Sequence, residues 1–202
     1  MDYYLLDYNL QEDRDQIPYK LLFLLALSMV LSHFPFFGSY PDFIPQLSGT
    51  WYTIALASNV TTKIEEGGPL RIFVQNLLVV VLLLLFDCSF YSRKDGKCIQ
   101  HLLVANKTEK NNVLKLDYEG KNTVHVEKAD AQKYIIFSTH NIQNGTETVV
   151  LELYGRTEVV KENIKKFFKN LCQKYGINKD DIIDMTKDSK FCLLFCSFFF
   201  LD

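Results

Sequence analysis

Gly49-Thr50-Trp51-Tyr52-Thr53-Ile54-Ala55-Leu56-Ala57-Ser58 holds the only tryptophan of the chain and opens an apolar run. A small residue followed by a bulky ring at the mouth of a strand suits a chain that enters a barrel and plugs its end. Downstream the extended runs keep coming. Leu70 to Val74 alternates, and Phe90 to Arg93, Ile99 to Ala105, Val113 to Tyr118, Val124 to Val126, Tyr134 to Thr139 and Thr148 to Tyr154 follow. Turn residues separate them: Gly67-Gly68-Pro69, Asp95-Gly96, Asn111-Asn112, Gly120-Lys121-Asn122 and Asn144-Gly145. Many short strands at fairly even spacing predict an antiparallel sandwich or barrel.

Two stretches break that rhythm. Residues 77 to 86, Leu-Leu-Val-Val-Val-Leu-Leu-Leu-Leu-Phe, are apolar without alternation, which suits a strand buried on both faces or a buried helix. Glu158 to Tyr175 switches period, placing Val160, Ile164, Phe167, Phe168, Leu171, Cys172 and Tyr175 on one side and Lys161, Lys165, Lys166 and Lys169 on the other. That is one amphipathic helix ended by Gly176, with the outside of the sheet to pack against.

Upstream, residues 21 to 31 are apolar between Lys20 and Ser32 and match the core of a signal peptide, being too short to span a bilayer. The acidic segment before them departs from the usual basic start; a buried apolar helix is the other reading. The expected organisation is residues 1–39 as an extension with a signal-like segment, 40–192 as one domain, and 193–202 as an apolar tail. Cleavage is expected between Ser32 and Ser39, and the product is expected to be secreted and extracellular. Asn59-Val-Thr61, Asn106-Lys-Thr108 and Asn144-Gly-Thr146 are glycosylation sequons that matter in that setting.

A formal charge of −2 on 202 residues, with 48% hydrophobic and 23% charged residues, describes a folded chain and argues against nucleic acid as partner. The four histidines and five cysteines show no ligand spacing, so no metal site is expected, and an odd cysteine count leaves at least one thiol without an intramolecular partner. No Ser-His-Asp constellation can be argued from the scattered histidines. The basic helix face reads as solvated rather than membrane-bound, and no stable membrane insertion is expected.

Gly49-Thr50-Trp51-Tyr52 with the run after it resembles the first motif of the lipocalin family, and Leu153-Tyr154-Gly155-Arg156 resembles the third. Val104 to Lys110, Tyr118 to Thr123, Leu171 to Ile177 and Ile182-Ile183-Asp184 are similar to its urinary and odorant-binding branch, which includes lipocalin allergens. The resemblance covers Ile44 to Cys192. It departs at the acidic start, at Leu77 to Cys88 where the branch has a polar turn, and at Leu193 to Asp202. The apolar insertion is expected to deform the second hairpin. Ala129-Asp130-Ala131 keeps only the aspartate of the second motif, which weakens the expected support of that loop.

The resemblance implies an all-β fold: an eight-stranded antiparallel up-and-down barrel with one C-terminal helix packed outside. Gly49, Trp51 and Arg156 are then structural, the guanidinium stacked on the indole at the closed end. Cys98 is implied to pair with Cys192 and Cys172 to be an unpaired buried thiol, while Cys88 and Cys196 have no counterpart. Facing the cavity are Leu70, Ile72, Val74, Phe90, Leu103, Val124, Phe137, Thr139, Glu152 and Tyr154. The bulk of Phe137 predicts a small cavity, and a filled core is the alternative. The implied function is a secreted carrier of odorants or pheromones, without cofactor or catalytic residue, as a monomer or weak dimer. Two other classes stay open: a prostaglandin isomerase using Cys88 with Tyr154 or Thr139, and a protein recognised by a receptor.

Overall fold

The computed structural model describes residues 47–80, 85–94, 97–110 and 112–187. The expected extension 1–39 and tail 193–202 lie outside them, as do Cys192 and Cys196. Among the described residues the strands are β1 (Gly49–Thr50), β2 (Tyr52–Ser58), β3 (Ile72–Val80), β4 (Leu85–Lys94), β5 (Lys97–Lys107), β6 (Val113–Asp117), β7 (Lys121–Asp130), β8 (Tyr134–Gln143), β9 (Thr146–Gly155) and β10 (Ile182–Asp184), with one α-helix, α1 (Glu162–Lys174).

All neighbours are antiparallel, in the order β1-β3-β4-β5-β6-β7-β8-β9-β2-β10. β1 and β2 are one run interrupted at Trp51. Its first part pairs with β3 (Gly49↔Leu77) and the remainder with β9 (Thr53↔Tyr154). The succession β3 to β9 therefore begins and ends on the same stretch of chain, and the Val74 amide donates to Thr53 Oγ1 across the junction at 3.0 Å. With β1 and β2 taken as one strand the ring has eight members, and β10 is an outer addition along β2.

Why these residues make strands is clearest in β9. Thr148, Val150, Glu152 and Tyr154 alternate with Val149, Leu151 and Leu153, and successive side chains point to opposite faces. Both faces are covered at the lower end. Tyr154 packs into the interior cluster with Trp51, Ile135 and Phe137, whereas Leu151 and Leu153 pack with Phe168, Leu171 and Cys172 of α1. Each large apolar side chain buried so is worth about 1.5–3 kcal/mol.

The helix begins at Glu162, four residues after the expected Glu158. Lys161, at φ −58° and ψ 144°, is non-helical and offers no side-chain cap, and Val160 before it is buried against the sheet. At the other end Gly176 takes φ +73°, its amide donates to Gln173 O, and that of Ile177 donates to Cys172 O, a Schellman closure.

The apolar stretch 77–86 differs from expectation. Its described residues form neither a helix nor a strand buried on both faces: 77–80 close β3 and 85–86 open β4, while 81–84 lie outside the described set. Leu77 is 2% exposed and Leu78 55%, because only alternate residues face the interior here. Nor does the stretch spoil the hairpin: pairing runs from Ile72↔Ser92 to Val80↔Leu85, with one register shift between Val74 and Asn76. The expected strand at Leu70 begins instead at Ile72, because Leu70 is held in the preceding turn by its amide bond to Lys63 O.

Candidate ligand cavity

One end of the ring is shut by Trp51, fully buried, whose Nε1 donates to Leu47 O at 2.8 Å. The Arg156 guanidinium lies 3.7 Å from the indole centroid and donates from Nε to Ala131 O (2.8 Å), from Nη1 to Thr50 O (3.0 Å) and from Nη2 to Ser48 O (3.0 Å). Gly49 is required beside it: its φ is +114°, and a Cβ there would stand 2.9 Å from Arg156 Nη1. The loop after β7 is better supported than its Ala129-Asp130-Ala131 sequence suggested. Asp130 pairs with Lys133 at 2.6 Å and caps the Gln132 amide, and the Arg156 amide donates to Lys133 O.

Above this floor lies a cavity of about 80 Å³. All ten residues expected to face it stand on its wall: Leu70, Ile72, Val74, Phe90, Leu103, Val124, Phe137, Thr139, Glu152 and Tyr154. The resemblance named them; nine alternate inward on strands, and Leu70 stands in the turn before β3. Cys88, expected to face inward only in the isomerase alternative, is also on the wall, and Leu77, Ala105, Leu114, Leu116, Tyr118, Asn122 and Val150 line it as well and were missed. Leu114 and Leu116 alternate in β6, and Val150 shares its face with Glu152, so parity was the available signal; Leu77 was hidden by the stretch that lacks alternation.

The polar groups are few and collected. Thr139 Oγ1 donates to Glu152 Oε1 at 3.0 Å, and the Tyr154 hydroxyl donates to Glu152 Oε2 at 2.7 Å. Glu152 is 7% exposed, and burial raises its pKa above the ordinary carboxylate value despite the two hydroxyl donors. Burial and the neighbouring Glu152 carboxylate likewise raise that of Tyr154. Asn122 is committed elsewhere: its amide nitrogen donates to Tyr118 O at 2.7 Å and its oxygen accepts from Asn141 at 2.9 Å.

Cys88 shares the wall with Thr139 and Tyr154, as the isomerase alternative requires. Its chemistry is wrong for a nucleophile: desolvation, then the Glu152 charge, push the thiol up to about 12, leaving it protonated near neutral pH. At the rim, the fold joins two residues that sequence reading kept apart. Ser92 Oγ lies 2.8 Å from His101 Nε2, with Phe90 stacked on the imidazole at 5.0 Å and Tyr118 edge-on at 5.3 Å. Burial lowers the His101 pKa, and Glu119 opposes this only through space. The contact ties β4 to β5.

The remaining expected residues are dispersed. Cys98 is disulfide-bonded, while its expected partner, Cys192, is outside the described residues. Cys172 is a buried free thiol on α1. Asn59, Asn106 and Asn144 are exposed, the first accepting from the Val149 amide through Oδ1.

Residues 48–189 match the model of the lipocalin / cytosolic fatty-acid binding protein family. The chain is a lipocalin. It is 42% identical to epididymal-specific lipocalin-9 of Mus musculus over 152 residues, covering 75% of this chain and 84% of the relative. To major urinary protein 4 of Mus musculus it is 38% identical over 176 residues, 86% of this chain and 97% of the relative. Among solved structures, possum milk whey trichosurin with bound 4-ethylphenol superposes with a TM-score of 0.64 at 36% identity, covering 68% of this lipocalin and 95% of that chain. The odorant-binding protein OBP1 does so at 0.67 and 26%, covering 71% and 92%.

Proposed function

We propose that this lipocalin is a secreted carrier that holds small hydrophobic molecules of odorant or pheromone type in its barrel. The observation that carries the reading is the cavity itself: apolar on nearly every side, shut below by Trp51 and Arg156, and furnished with one polar cluster at Thr139, Glu152 and Tyr154. Apolar burial supplies affinity at about 25 cal/mol per Å², less the cost of ordering the ligand, and a few polar groups set orientation. The kinship with major urinary proteins and the 4-ethylphenol held by trichosurin support the ligand class. A carrier fits better than an isomerase, because Cys88 faces the cavity as a neutral thiol with its pKa raised to about 12.

Secretion goes with the apolar segment 21–31, with the disulfide at Cys98, assigned here to Cys192, and with the exposed sequons at Asn59, Asn106 and Asn144. A monomer or weak dimer serves this role without a cofactor. The test is displacement of N-phenyl-1-naphthylamine from purified protein by a panel of odorant-sized compounds including 4-ethylphenol. Displacement at micromolar concentrations is expected; a panel that leaves the probe bound, or a probe that never binds, removes the carrier reading.

A further inference from the structure

The polar cluster in the cavity can be counted hydrogen by hydrogen. With Glu152 ionised, the three side chains own two hydroxyl hydrogens, one on Thr139 and one on Tyr154. Both are spent on the carboxylate, at 3.0 and 2.7 Å. A carboxylate has about four lone-pair sites, and each hydroxyl keeps acceptor capacity, so what the cluster turns toward the cavity is acceptors alone. No described lysine, arginine or histidine pairs with Glu152. The other polar groups on the wall add little: the Asn122 amide is engaged by backbone carbonyls, the Cys88 thiol is a weak donor, and the Tyr118 hydroxyl is hydrogen-bonded with Ser92, its ring packed against Phe90 and His101.

Resting on the carrier reading, we infer that the cavity selects compact apolar ligands bearing an O–H or N–H group, such as alcohols, phenols and amines, over carbonyl compounds of the same shape. A ligand hydroxyl supplies the missing hydrogen to Glu152. A ketone brings a further acceptor, leaving its own oxygen and a carboxylate lone pair buried without a donor, and an unsatisfied buried polar group is costly. Sites built to hydrogen-bond one substrate group discriminate strongly against analogues lacking it.

Protonation of Glu152 changes the count. The carboxyl then donates to one hydroxyl, which is freed to donate to the ligand, so ketones gain a partner and the preference narrows. The raised carboxyl pKa places this change above the ordinary carboxylate range. Cys88 and Tyr154, both pushed upward, stay protonated throughout.

The experiment is calorimetric titration of the full chain with cyclohexanol, cyclohexanone and cyclohexylamine from pH 8 to pH 5. At pH 8 cyclohexanol is expected to bind at least tenfold tighter than cyclohexanone, with the ratio falling as pH falls. In Glu152→Gln, whose amide brings two hydrogens, the ratio at pH 8 is expected to drop below threefold. Equal affinities at pH 8 in the native protein, or a ratio independent of pH, overturn the inference while leaving the carrier reading intact. Should none of the three compounds bind while N-phenyl-1-naphthylamine does, the inference also fails alone; if the probe fails too, both fall. The pH series on native protein stands even where the variant does not fold.

Discussion

Arg156→Ala is the perturbation that weighs most on the closed end. The guanidinium makes three hydrogen bonds to the carbonyls of Ala131, Thr50 and Ser48 and covers the Trp51 indole at 3.7 Å. The stacking is worth about 0.5–2 kcal/mol. Each hydrogen bond adds a net of about 0.5–1.5 kcal/mol, with the exposed one to Thr50 O at the low end because water replaces it after truncation. Truncation therefore costs about 3 kcal/mol. Arg156→Lys keeps a charge but loses the fork, since one ammonium cannot serve three carbonyls on different segments, and should retain less than half of the difference. Urea unfolding followed by emission of the single tryptophan measures both. The expected result is a lowered midpoint with an unchanged slope, together with altered Trp51 emission in the folded state. A loss below about 1 kcal/mol, or a lysine variant as stable as the native protein, would refute the assignment of Arg156 as the clasp that joins β1 to the end of β9.

Glu152→Gln should stabilise the apo-protein at neutral pH. The folded carboxyl pKa is raised, so the native state holds more protons than the unfolded one and native stability falls as pH rises from about 4.5 through the folded value. Thermal melts from pH 4 to pH 8 should show that fall in the native protein and not in the variant; parallel profiles would contradict it. Cys88 and Cys172, both with thiols pushed up to about 12, should resist iodoacetamide at pH 7.5 until denaturant is added, as counted by mass spectrometry, and rapid native labelling of Cys88 would reopen the isomerase reading. Phe137→Ala should cost about 3 kcal/mol and admit longer ligands, because Phe137 is 6% exposed, packs edge-on against Tyr154 at 5.7 Å and fills the cavity from β8. Competition between pentanol and decanol on native and variant protein would show it, and an unchanged chain-length preference would count against Phe137 as the limit.

Local features carried much of this in the sequence. Alternation in β8 and β9 put Phe137, Thr139, Glu152 and Tyr154 on one face, since the period of a strand is a property of the chain alone. The 3.6-residue period of Ile164, Phe168, Leu171 and Cys172 announced α1, and Gly176 its end. Trp51, Gly49 and Arg156 were legible as a unit through likeness to a family, not through spacing, for Arg156 lies more than a hundred residues from the other two. Where alternation was absent, at 77–86, periodicity had nothing to report. Pairing with β4 and β1 decided the conformation, and solvent took the face of Leu78 while the interior took that of Leu77. The contact of Ser92 with His101 likewise arises from the register of β4 on β5. The chemistry of the cavity was also a tertiary matter. A sequence names Thr139, Glu152 and Tyr154, but only the antiparallel register of β8 on β9 aims both hydroxyls at one carboxylate, and only burial from water raises its pKa.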